Sequence, residues 1–310
     1  MEAASALEVK VVVASDRPQT LSELAPGTSL GLDFGDPEEA TRSIRRFADE
    51  RPVKAVLGVD DDSVVLAAAA SEALGLSHNP ASAVRASRYK HLTRELLAKS
   101  CLPAPGFRLF SCTEDPETVS VDIRFPCVLK AVFLSASRGV IRADDPAEFC
   151  VAFERIASLI EREDSGKKDG DVCEMILVED YVPGDEVALE GLLKEGELSM
   201  LALFDKPDPL VGPFFEETIY VTPSRLSADA QREVKRVTSE ACRILGLVDG
   251  PIHAELRLNE KGVWLIEVAA RSIGGLCSRI LRFGSGYSLE ELIIRHAMGM
   301  EIPNRKREDR

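Results

Sequence analysis

The feature that most constrains the fold is a pair of alternating segments late in the chain, Ile252–Leu258 and Val263–Ala270. Apolar and polar residues alternate in both, as in strands that bury one face, and the polar stretch Asn259–Gly262 between them predicts a hairpin. We therefore expect an antiparallel sheet with one polar face. The core side chains expected from this hairpin are Leu256, Leu258, Trp264, Ile266 and Val268.

The polar face of the hairpin groups the side chains with the most chemistry. Alternation places His253, Glu255 and Arg257 together on the first strand, and Glu267 and Arg271 share a face of the second. A turn with an odd number of residues would put Glu255 directly opposite Glu267, whereas a four-residue turn would not. Because facing like charges destabilise a sheet, we expect a cation between them if they do face each other.

Two facing carboxylates indicate a metal site. Mg²⁺ takes oxygen ligands at about 2.0–2.1 Å, typically one or two carboxylates together with substrate phosphates. On the same face, Arg271 could hold a transferring phosphoryl group. The pattern therefore predicts that Glu255 and Glu267 bind Mg²⁺, and a solvated polar strand face is the alternative.

Composition excludes several classes of protein. The 310 residues carry 38 basic and 52 acidic side chains, a net charge of −14, whereas nucleic-acid binding requires a basic surface. No apolar run approaches the roughly 18–20 residues that cross a bilayer, and the first residues lack a signal-peptide core. The seven cysteines form no Cys-x-x-Cys pair. We therefore expect a cytoplasmic protein with reduced thiols that binds neither nucleic acid nor membrane.

The first part of the chain predicts a small parallel α/β lobe over residues 1–80. Val9–Ala14 and Val53–Val59 have the composition of buried strands. Asp36 begins one helix, and a second, Ala-rich helix ends at Gly75. Little sequence precedes the first strand, so a truncated N-terminus stays open.

Further helices and strands are predicted over the rest of the chain. The polar run Glu163–Asp171 predicts a solvated loop and the tail Asn304–Arg310 a frayed end. The remaining predicted elements are helices over Ser82–Ser100, Asp145–Arg162, Ser227–Gly246 and Ser288–Gly299, strands over Phe125–Ala131, Val140–Ala143 and Met175–Val182, and a hairpin of Glu186–Leu193 with Glu197–Asp205.

Three further motifs are compatible with a nucleotide site. Lys130 ends a buried strand and precedes the Ser/Gly loop Ser135–Gly139, which can offer N–H groups to phosphates. The segment Glu179–Glu186 places acids before a Pro-Gly turn, where adenine and ribose could bind, and Arg271–Gly275 ends in two glycines. Taken singly, each is equally consistent with a snorkelling lysine or an ordinary turn. Walker and Rossmann glycine patterns are absent.

In their order along residues 80–300, these motifs resemble the ATP-grasp superfamily, and more closely its carboxylate–amine ligase branch, related to L-amino-acid ligases and biotin carboxylase. The segments Phe204–Pro209 and Glu216–Pro223 resemble the amino-acid-ligase branch in particular. The superfamily resemblance rests on Ser87–Lys90, Thr93–Leu96, Leu102–Pro105, Phe125–Lys130, Ser135–Gly139, Glu179–Val182, His253–Glu255 and Glu267–Gly275.

The resemblance implies an α/β chain with the α+β ATP-grasp fold. Its parts would be the N-terminal lobe at 1–80 and an ATP-grasp domain at 81–310 that includes a small lid lobe at about 120–181, with two α+β lobes sandwiching ATP. The implied nucleotide-binding residues are Lys90 and Lys130 at the phosphates, Ser135, Ser137 and Gly139 in the lid loop, Glu179 and the Val182 backbone at adenine, and Glu186 at the ribose.

The resemblance also implies the reaction and its participants. Glu255 and Glu267 would bind Mg²⁺ or Mn²⁺, His253, Arg271, Gly274 and Gly275 would bind substrate, and Arg271 and Lys130 would be catalytic. The implied activity is an ADP-forming ligase that activates a small-molecule carboxylate as an acyl phosphate and joins it to an amine, such as an amino acid or peptide. A bicarbonate-activating enzyme and a non-catalytic ATP-binding protein are the alternatives, and a homodimer stays open.

Two departures from the family pattern bear on these expectations. Ala269 stands where many ATP-grasp enzymes have an asparagine ligand, which leaves one or two metal ions open. The chain also ends soon after Gly299, where amino-acid ligases usually carry a further subdomain. The substrate pocket is therefore expected to be incompletely walled, and the identities of the carboxylate and the amine are left open.

Overall fold

The computed structural model describes residues 1–16, 27–163 and 174–302, with Glu163 described as backbone. The loop predicted over Glu163–Asp171 lies, beyond its first residue, outside the described residues, as does the tail Asn304–Arg310. Within the described ranges, no helix has both the length and the apolar character needed to span a membrane.

Helices and strands are mixed along the chain. The helices are α1 (Glu2–Ala6), α2 (Pro37–Glu50), α3 (Val64–Leu74), α4 (Ala81–Arg88), α5 (Lys90–Leu97), α6 (Pro116–Ser120), α7 (Pro146–Glu163), α8 (Ala228–Leu245) and α9 (Leu289–Ala297). The strands are β1 (Val13–Ser15), β2 (Ser29–Gly31), β3 (Phe107–Ser111), β4 (Cys127–Ala131), β5 (Val140–Ala143), β6 (Met175–Asp180), β7 (Asp185–Lys194), β8 (Glu197–Lys206), β9 (Gly250–Asn259), β10 (Gly262–Ala269), β11 (Arg282–Phe283) and β12 (Tyr287–Ser288).

The N-terminal lobe contains a parallel pair, β1 and β2, packed with α2 and α3. Asp36 caps α2 as predicted, since its carboxylate accepts from the Glu39 N–H at 3.0 Å, and Gly75 ends α3 with a φ of +66°. The strand predicted over Val53–Val59 is wrong: this segment forms no ladder with the described strands. Its apolar side chains do not make a buried strand, because Val59 is 80% exposed.

Two four-stranded antiparallel sheets build the rest of the molecule. The lid sheet has the order β3-β6-β4-β5 and packs against α7 through Phe149, Phe153 and Ile156, which are fully buried. The large sheet has the order β10-β9-β7-β8 and packs against α8. Ser227 caps α8 and Gly246 ends it, as the sequence predicts. These sheets agree with the expected α+β architecture.

The helix predicted over Ser82–Ser100 is interrupted. Tyr89 has extended backbone angles (φ −99°, ψ 111°) between α4 and α5. The Lys90 N–H bonds the Val132 carbonyl at 3.5 Å, so the chain at this point is tied to the lid lobe. As a consequence, α5 begins at Lys90 and places Lys90 and Arg94, one turn apart, towards the space between the two sheets.

The late hairpin forms as predicted, but its turn is even. Asn259 pairs with Gly262, which leaves a two-residue turn, and this register places Val263 and Leu265, not Trp264 and Ile266, in the core. A β-bulge at Ile266 then shifts the ladder by one residue. Glu267 consequently faces Glu255, so the predicted pairing is reached through a bulge rather than through an odd-numbered turn.

Substitution of two turn glycines tests how tightly the β6–β7 turn packs against β9. Gly184, between β6 and β7, has a φ of +126°, and a Cβ there would lie 2.1 Å from the Leu258 carbonyl oxygen. Gly196, in the β7–β8 turn, also has a positive φ (+82°) but has open space around it. A left-handed conformation costs an L-residue about 1–2 kcal/mol, so Gly196→Ala measures that cost alone.

We expect Gly184→Ala to lower the Tm by at least about twice as much as Gly196→Ala, because a backbone clash adds to the conformational cost. Thermal unfolding followed by circular dichroism provides the comparison. Equal shifts in Tm would show that the β6–β7 turn can move away from β9 without loss of stability.

Candidate active site

A cavity of about 440 Å³ lies between the lid sheet, the large sheet and the loop after Gly58 of the N-terminal lobe. Every predicted site residue except Gly139 lines it. Gly139 instead accepts a hydrogen bond from the Ala131 N–H at 2.9 Å and so closes the lid loop against β4. The predicted residues in the cavity wall are Lys90, Lys130, Ser135, Ser137, Glu179, Val182, Glu186, His253, Glu255, Glu267, Arg271, Gly274 and Gly275.

The lid loop adopts an unusual backbone conformation. Ala136 and Ser137 have φ angles of +56° and +55°, although left-handed angles are unfavourable for residues with a Cβ. Such strain concentrates where a loop binds a ligand. Ser135, Ala136 and Ser137 line the same cavity as Lys130, which is the arrangement that a phosphate-binding loop requires.

Lys130 is held by a buried chain of ion pairs. Its Nζ lies 2.7 Å from Oε2 of Glu179, and Arg94 Nε donates to Oε1 of the same carboxylate at 2.7 Å. Burial raises the pKa of Glu179, but Arg94 and Lys130 outweigh it and lower the value to about 2. Arg94 also donates to the carbonyl of Ile266, the bulged residue, at 2.5 Å. The Glu179 carboxylate therefore holds Lys130 and Arg94 together.

Lys90 supplies a second cation to the cavity. Its Nζ donates to the Leu134 carbonyl at 2.6 Å and lies 3.8 Å from Oε1 of Glu267. Burial lowers the pKa of Lys90, Glu267 opposes this, and Lys130 adds to the lowering. Two ammonium groups near the lid loop suit the charge of a polyphosphate.

Lys206, to which the sequence analysis assigned no role, lies at the centre of three carboxylates. Its Nζ is 2.8 Å from Glu186 and 2.9 Å from Glu255, and it also bonds Glu217. Burial opposes the charge of Lys206, but the three carboxylates raise its pKa, while the pKa of Glu255 is well below its usual value. Acids from three separate segments thus share the single positive charge of this ammonium group.

His253 is part of a second buried group. Its Nδ1 lies 2.6 Å from Oε1 of Glu190 and its Nε2 lies 3.5 Å from Glu255. Burial would lower the pKa of His253, but Glu190 and Glu255 raise it to about 10, so the ring is a cation at neutral pH. Glu190 Oε2 accepts the Ile273 N–H at 2.9 Å. One buried carboxylate therefore fixes both His253 and the turn that contains Gly274.

Arg257 ties the predicted ribose residue to the adenine segment. Its Nε donates to Glu186 at 2.8 Å and one terminal nitrogen donates to the Val182 carbonyl at 2.8 Å. That carbonyl keeps a second lone pair, so the bond from Arg257 does not prevent the predicted adenine contact of Val182. Both oxygens of Glu186 meet a cation, yet each has a further lone pair that a ribose hydroxyl can use.

Arg271 is held by a residue of the N-terminal lobe. Its Nε and one terminal nitrogen bond the two carboxylate oxygens of Asp61 at 2.7 and 2.8 Å, and its other terminal nitrogen donates to the Ser272 carbonyl at 3.0 Å. Burial opposes the charge of both partners, but the pair lowers the pKa of Asp61 and raises that of Arg271. The cavity is therefore built from three parts of the chain.

Comparison with protein families identifies this arrangement. A model of the ATP-grasp domain matches residues 123–280, and a model of the ATP-grasp N-terminal domain matches residues 1–78. The chain belongs to the ATP-grasp family. The family resemblance and fold class expected from the sequence are both confirmed.

Individual relatives of this ATP-grasp chain include several ligases. Alanine–anticapsin ligase of Bacillus subtilis (strain 168) is 26% identical over 251 residues, which are 76% of this chain and 52% of the relative. Carnosine synthase 1 of Gallus gallus is 33% identical over 258 residues, 79% of this chain and 27% of that one. The chain thus spans about half the length, or less, of the curated relatives it matches.

Solved structures agree with these relatives. The L-amino acid ligase from Bacillus licheniformis superposes with a TM-score of 0.77 at 27% identity, over 96% of this chain and 70% of that one. The ADP complex of purK, an N5-carboxyaminoimidazole ribonucleotide synthetase, gives a TM-score of 0.75 at 14% identity, over 99% and 75% of the two chains. The second likeness is one of fold.

The carboxylates on the large sheet fit a hard divalent cation. Glu255 and Glu267 face each other in the ladder and line one cavity, and carboxylate oxygens are the ligands that Mg²⁺ prefers. Glu267 is 31% exposed and its ion pair with Lys90 is long, at 3.8 Å. Glu186, Glu217 and Glu255 also lie close enough for one ion, but there Lys206 already supplies the positive charge.

Several residues that line the cavity or hold its wall in place were missed because their signals were weak. Glu190 stands four residues after Glu186 in an alternating strand, so strand periodicity could have placed it on the same face. Lys206 and Glu217 lie in the two segments that resemble the amino-acid-ligase branch, but the resemblance implies no role for either residue. Asp61 was assigned no role, and Arg94 was treated only as part of a helix, because sequence does not show which long-range partner a charge meets.

The first prediction for the site concerns Lys130. We expect Lys130→Ala to weaken MgADP binding by about tenfold or more, because a lost charged contact costs about 1.5–3 kcal/mol. The fold should persist, since Glu179 keeps Arg94 as its partner. Isothermal titration calorimetry measures the affinity, with Lys194→Ala, an exposed lysine of β7, as control. Equal affinities in the two variants would remove Lys130 from the nucleotide site.

A second prediction concerns Glu267. Without ligand, Glu267→Gln should be at least as stable as the parent, since facing like charges cost up to about 1 kcal/mol. At 100 times the Kd, MgATP should stabilise the parent by about 2.7 kcal/mol, and Glu267→Gln should lose most of that gain. Melting temperatures with and without MgATP decide, and Glu260→Gln in the exposed turn should behave as the parent. An undiminished MgATP effect in Glu267→Gln would mean that Glu267 is merely a solvated strand residue.

Proposed function

We propose that this chain catalyses an ADP-forming ligation, in which ATP activates a small carboxylate as an acyl phosphate and an amine then forms an amide or peptide bond. The observation that carries the proposal is the pairing of Glu255 with Glu267 in one cavity with Lys90, Lys130 and Arg271. The relatives' names, among them alanine–anticapsin ligase and an L-amino acid ligase, support an amino acid as one substrate.

The first step would transfer the γ-phosphoryl group. A carboxylate oxygen of the substrate attacks phosphorus, the bond to the ADP oxygen breaks, and ADP leaves. Catalysis of such transfers is mostly positioning and neutralisation of charge. Lys130 and Lys90 would hold the phosphates beneath the lid loop, and Arg271 would bind the carboxylate and the group transferred to it. Mg²⁺, bound by Glu255 and Glu267, would neutralise phosphate charge.

The second step would form the carbon–nitrogen bond. The amine nitrogen attacks the acyl carbon, the carbon–oxygen bond to phosphate breaks, and the nitrogen loses a proton. Gly274 and Gly275 would let the backbone approach the acyl group closely, with their turn held by Glu190. Glu217 also lines the cavity, where Lys206 and the Tyr220 hydroxyl bond its carboxylate. His253, a cation beside this wall, would balance the phosphate charge.

Two alternatives make different predictions. A bicarbonate-activating enzyme would release phosphate only when bicarbonate is present, and a non-catalytic ATP-binding protein would bind ATP without turnover. The structural neighbours of the first kind, such as a biotin carboxylase at 13% identity, share the fold. The relatives above 25% identity include amino-acid ligases, and this supports the carboxylate–amine reaction over the other two.

We expect an ADP-release screen over pairs of amino acids, with and without bicarbonate, to find pairs that release ADP and phosphate in equal amounts. Acyl-phosphate chemistry breaks the β–γ linkage, so nucleotide chromatography should show ADP and no AMP. Stoichiometric AMP would contradict the mechanism. Phosphate release that depends on bicarbonate, or tight ATP binding with no turnover for any pair, would favour the corresponding alternative.

A further inference from the structure

Asp61 makes the N-terminal lobe part of the cavity. Its carboxylate binds Arg271 in a two-point fork at 2.7 and 2.8 Å across 210 positions of sequence. Both side chains are largely shielded, at 14% and 15% exposure. A bidentate pair of this kind fixes the plane of a guanidinium group as well as its position.

The loop that carries Asp61 is itself held rigidly. The Ser63 N–H donates to the Asp60 carboxylate at 2.8 Å, and the Ser63 hydroxyl accepts the Val59 N–H at 3.2 Å. From the other side, Arg88 of α4 donates to the Asp61 carbonyl at 2.7 Å. The backbone on both sides of Asp61 is therefore held by hydrogen bonds, and its side chain lines the cavity.

Arg271 lines the same cavity as two other carboxylates, those of Glu267 and Glu255. Asp61, Glu267 and Glu255, in that order, favour its charged form. Glu267 is the least committed of these, since its ion pair with Lys90 is 3.8 Å long. A guanidinium group released from Asp61 would turn to Glu267, and a cation that occupies a metal ligand competes with the metal.

We propose that Asp61 is a positioning residue that keeps Arg271 away from Glu267, so that the arginine faces the reacting group and the glutamate stays free for the divalent cation. The roles of Arg271 and Glu267 in this proposal rest on the proposed function. The N-terminal lobe then contributes a residue to a site whose metal-binding and phosphate-binding residues come from the other two lobes.

Binding of Mn²⁺ in the presence of ADP, followed by electron paramagnetic resonance, tests the proposal without turnover. We expect Asp61→Asn to weaken Mn²⁺ binding by about tenfold, equivalent to about 1.4 kcal/mol. Asp62→Asn is the matched control, because Asp62 is the next residue, is 55% exposed and pairs with Arg88 at 3.3 Å. It removes the same charge from the same loop and should leave the affinity within about twofold of the parent.

The double variant Asp61→Asn with Arg271→Met tests whether Mn²⁺ binding weakens because Arg271 competes with the metal for Glu267 or because the negative charge of Asp61 is lost. If released Arg271 blocks Glu267, removing it should restore Mn²⁺ binding to within about threefold of Arg271→Met alone, since the two changes are then coupled. Asp61→Glu, which keeps the charge, should lose less affinity than Asp61→Asn. If Asp61→Asn does not fold, Asp61→Ser provides the same comparison.

Three results would overturn the proposal: unchanged Mn²⁺ affinity in Asp61→Asn, an equal loss in Asp62→Asn, or a double variant as weak as Asp61→Asn. A failure of the proposed function looks different, because then no substrate pair is turned over while the parent still binds Mn²⁺ with ADP. In that case the Mn²⁺ measurements still decide the role of Asp61.

Discussion

The structure depends on the pairing of charges that are buried on one face of the large sheet. Glu186, Glu190 and Glu255 lie there beside His253 and Arg257, and an unpaired ion in such a position would cost several kcal/mol. Lys206 meets two of these carboxylates, and His253 meets the third. The network therefore fixes the side chains before any ligand binds, as preorganised electrostatic catalysis requires.

Two further charged side chains connect the lobes. Arg94 joins the lid sheet, through Glu179, to the bulge of the large sheet at Ile266. Arg271 joins the large lobe to the N-terminal lobe through Asp61. Each connection is a charged side chain with at least two partners, so the relative positions of the lobes and the orientations of the site residues are set by the same contacts.

Sequence patterns predicted the features that depend on residues close together in the chain, such as the faces of strands and the ends of helices. Alternation placed His253, Glu255 and Arg257 on one face, and capping residues such as Ser227 and Gly246 marked the ends of α8. The predicted strand over Val53–Val59 failed because composition does not reveal whether a partner strand is available. The length of the late hairpin's turn could not be predicted either. An even-numbered turn followed by a bulge pairs Glu255 with Glu267, as an odd-numbered turn without a bulge would.

The partners of charged residues were harder to foresee, because any of 90 charged side chains (38 basic and 52 acidic) could meet any other. Only the folded chain shows that Lys206 bonds three acids, while Glu267 lies 3.8 Å from Lys90 in a longer ion pair. This difference has a chemical consequence. A carboxylate already bonded to an ammonium group is a poor metal ligand, so the site's capacity for a divalent cation is concentrated at Glu267 and at the Glu255 oxygen that Lys206 does not bond. The buried cations thus decide where a metal can bind as well as how the sheet is stabilised.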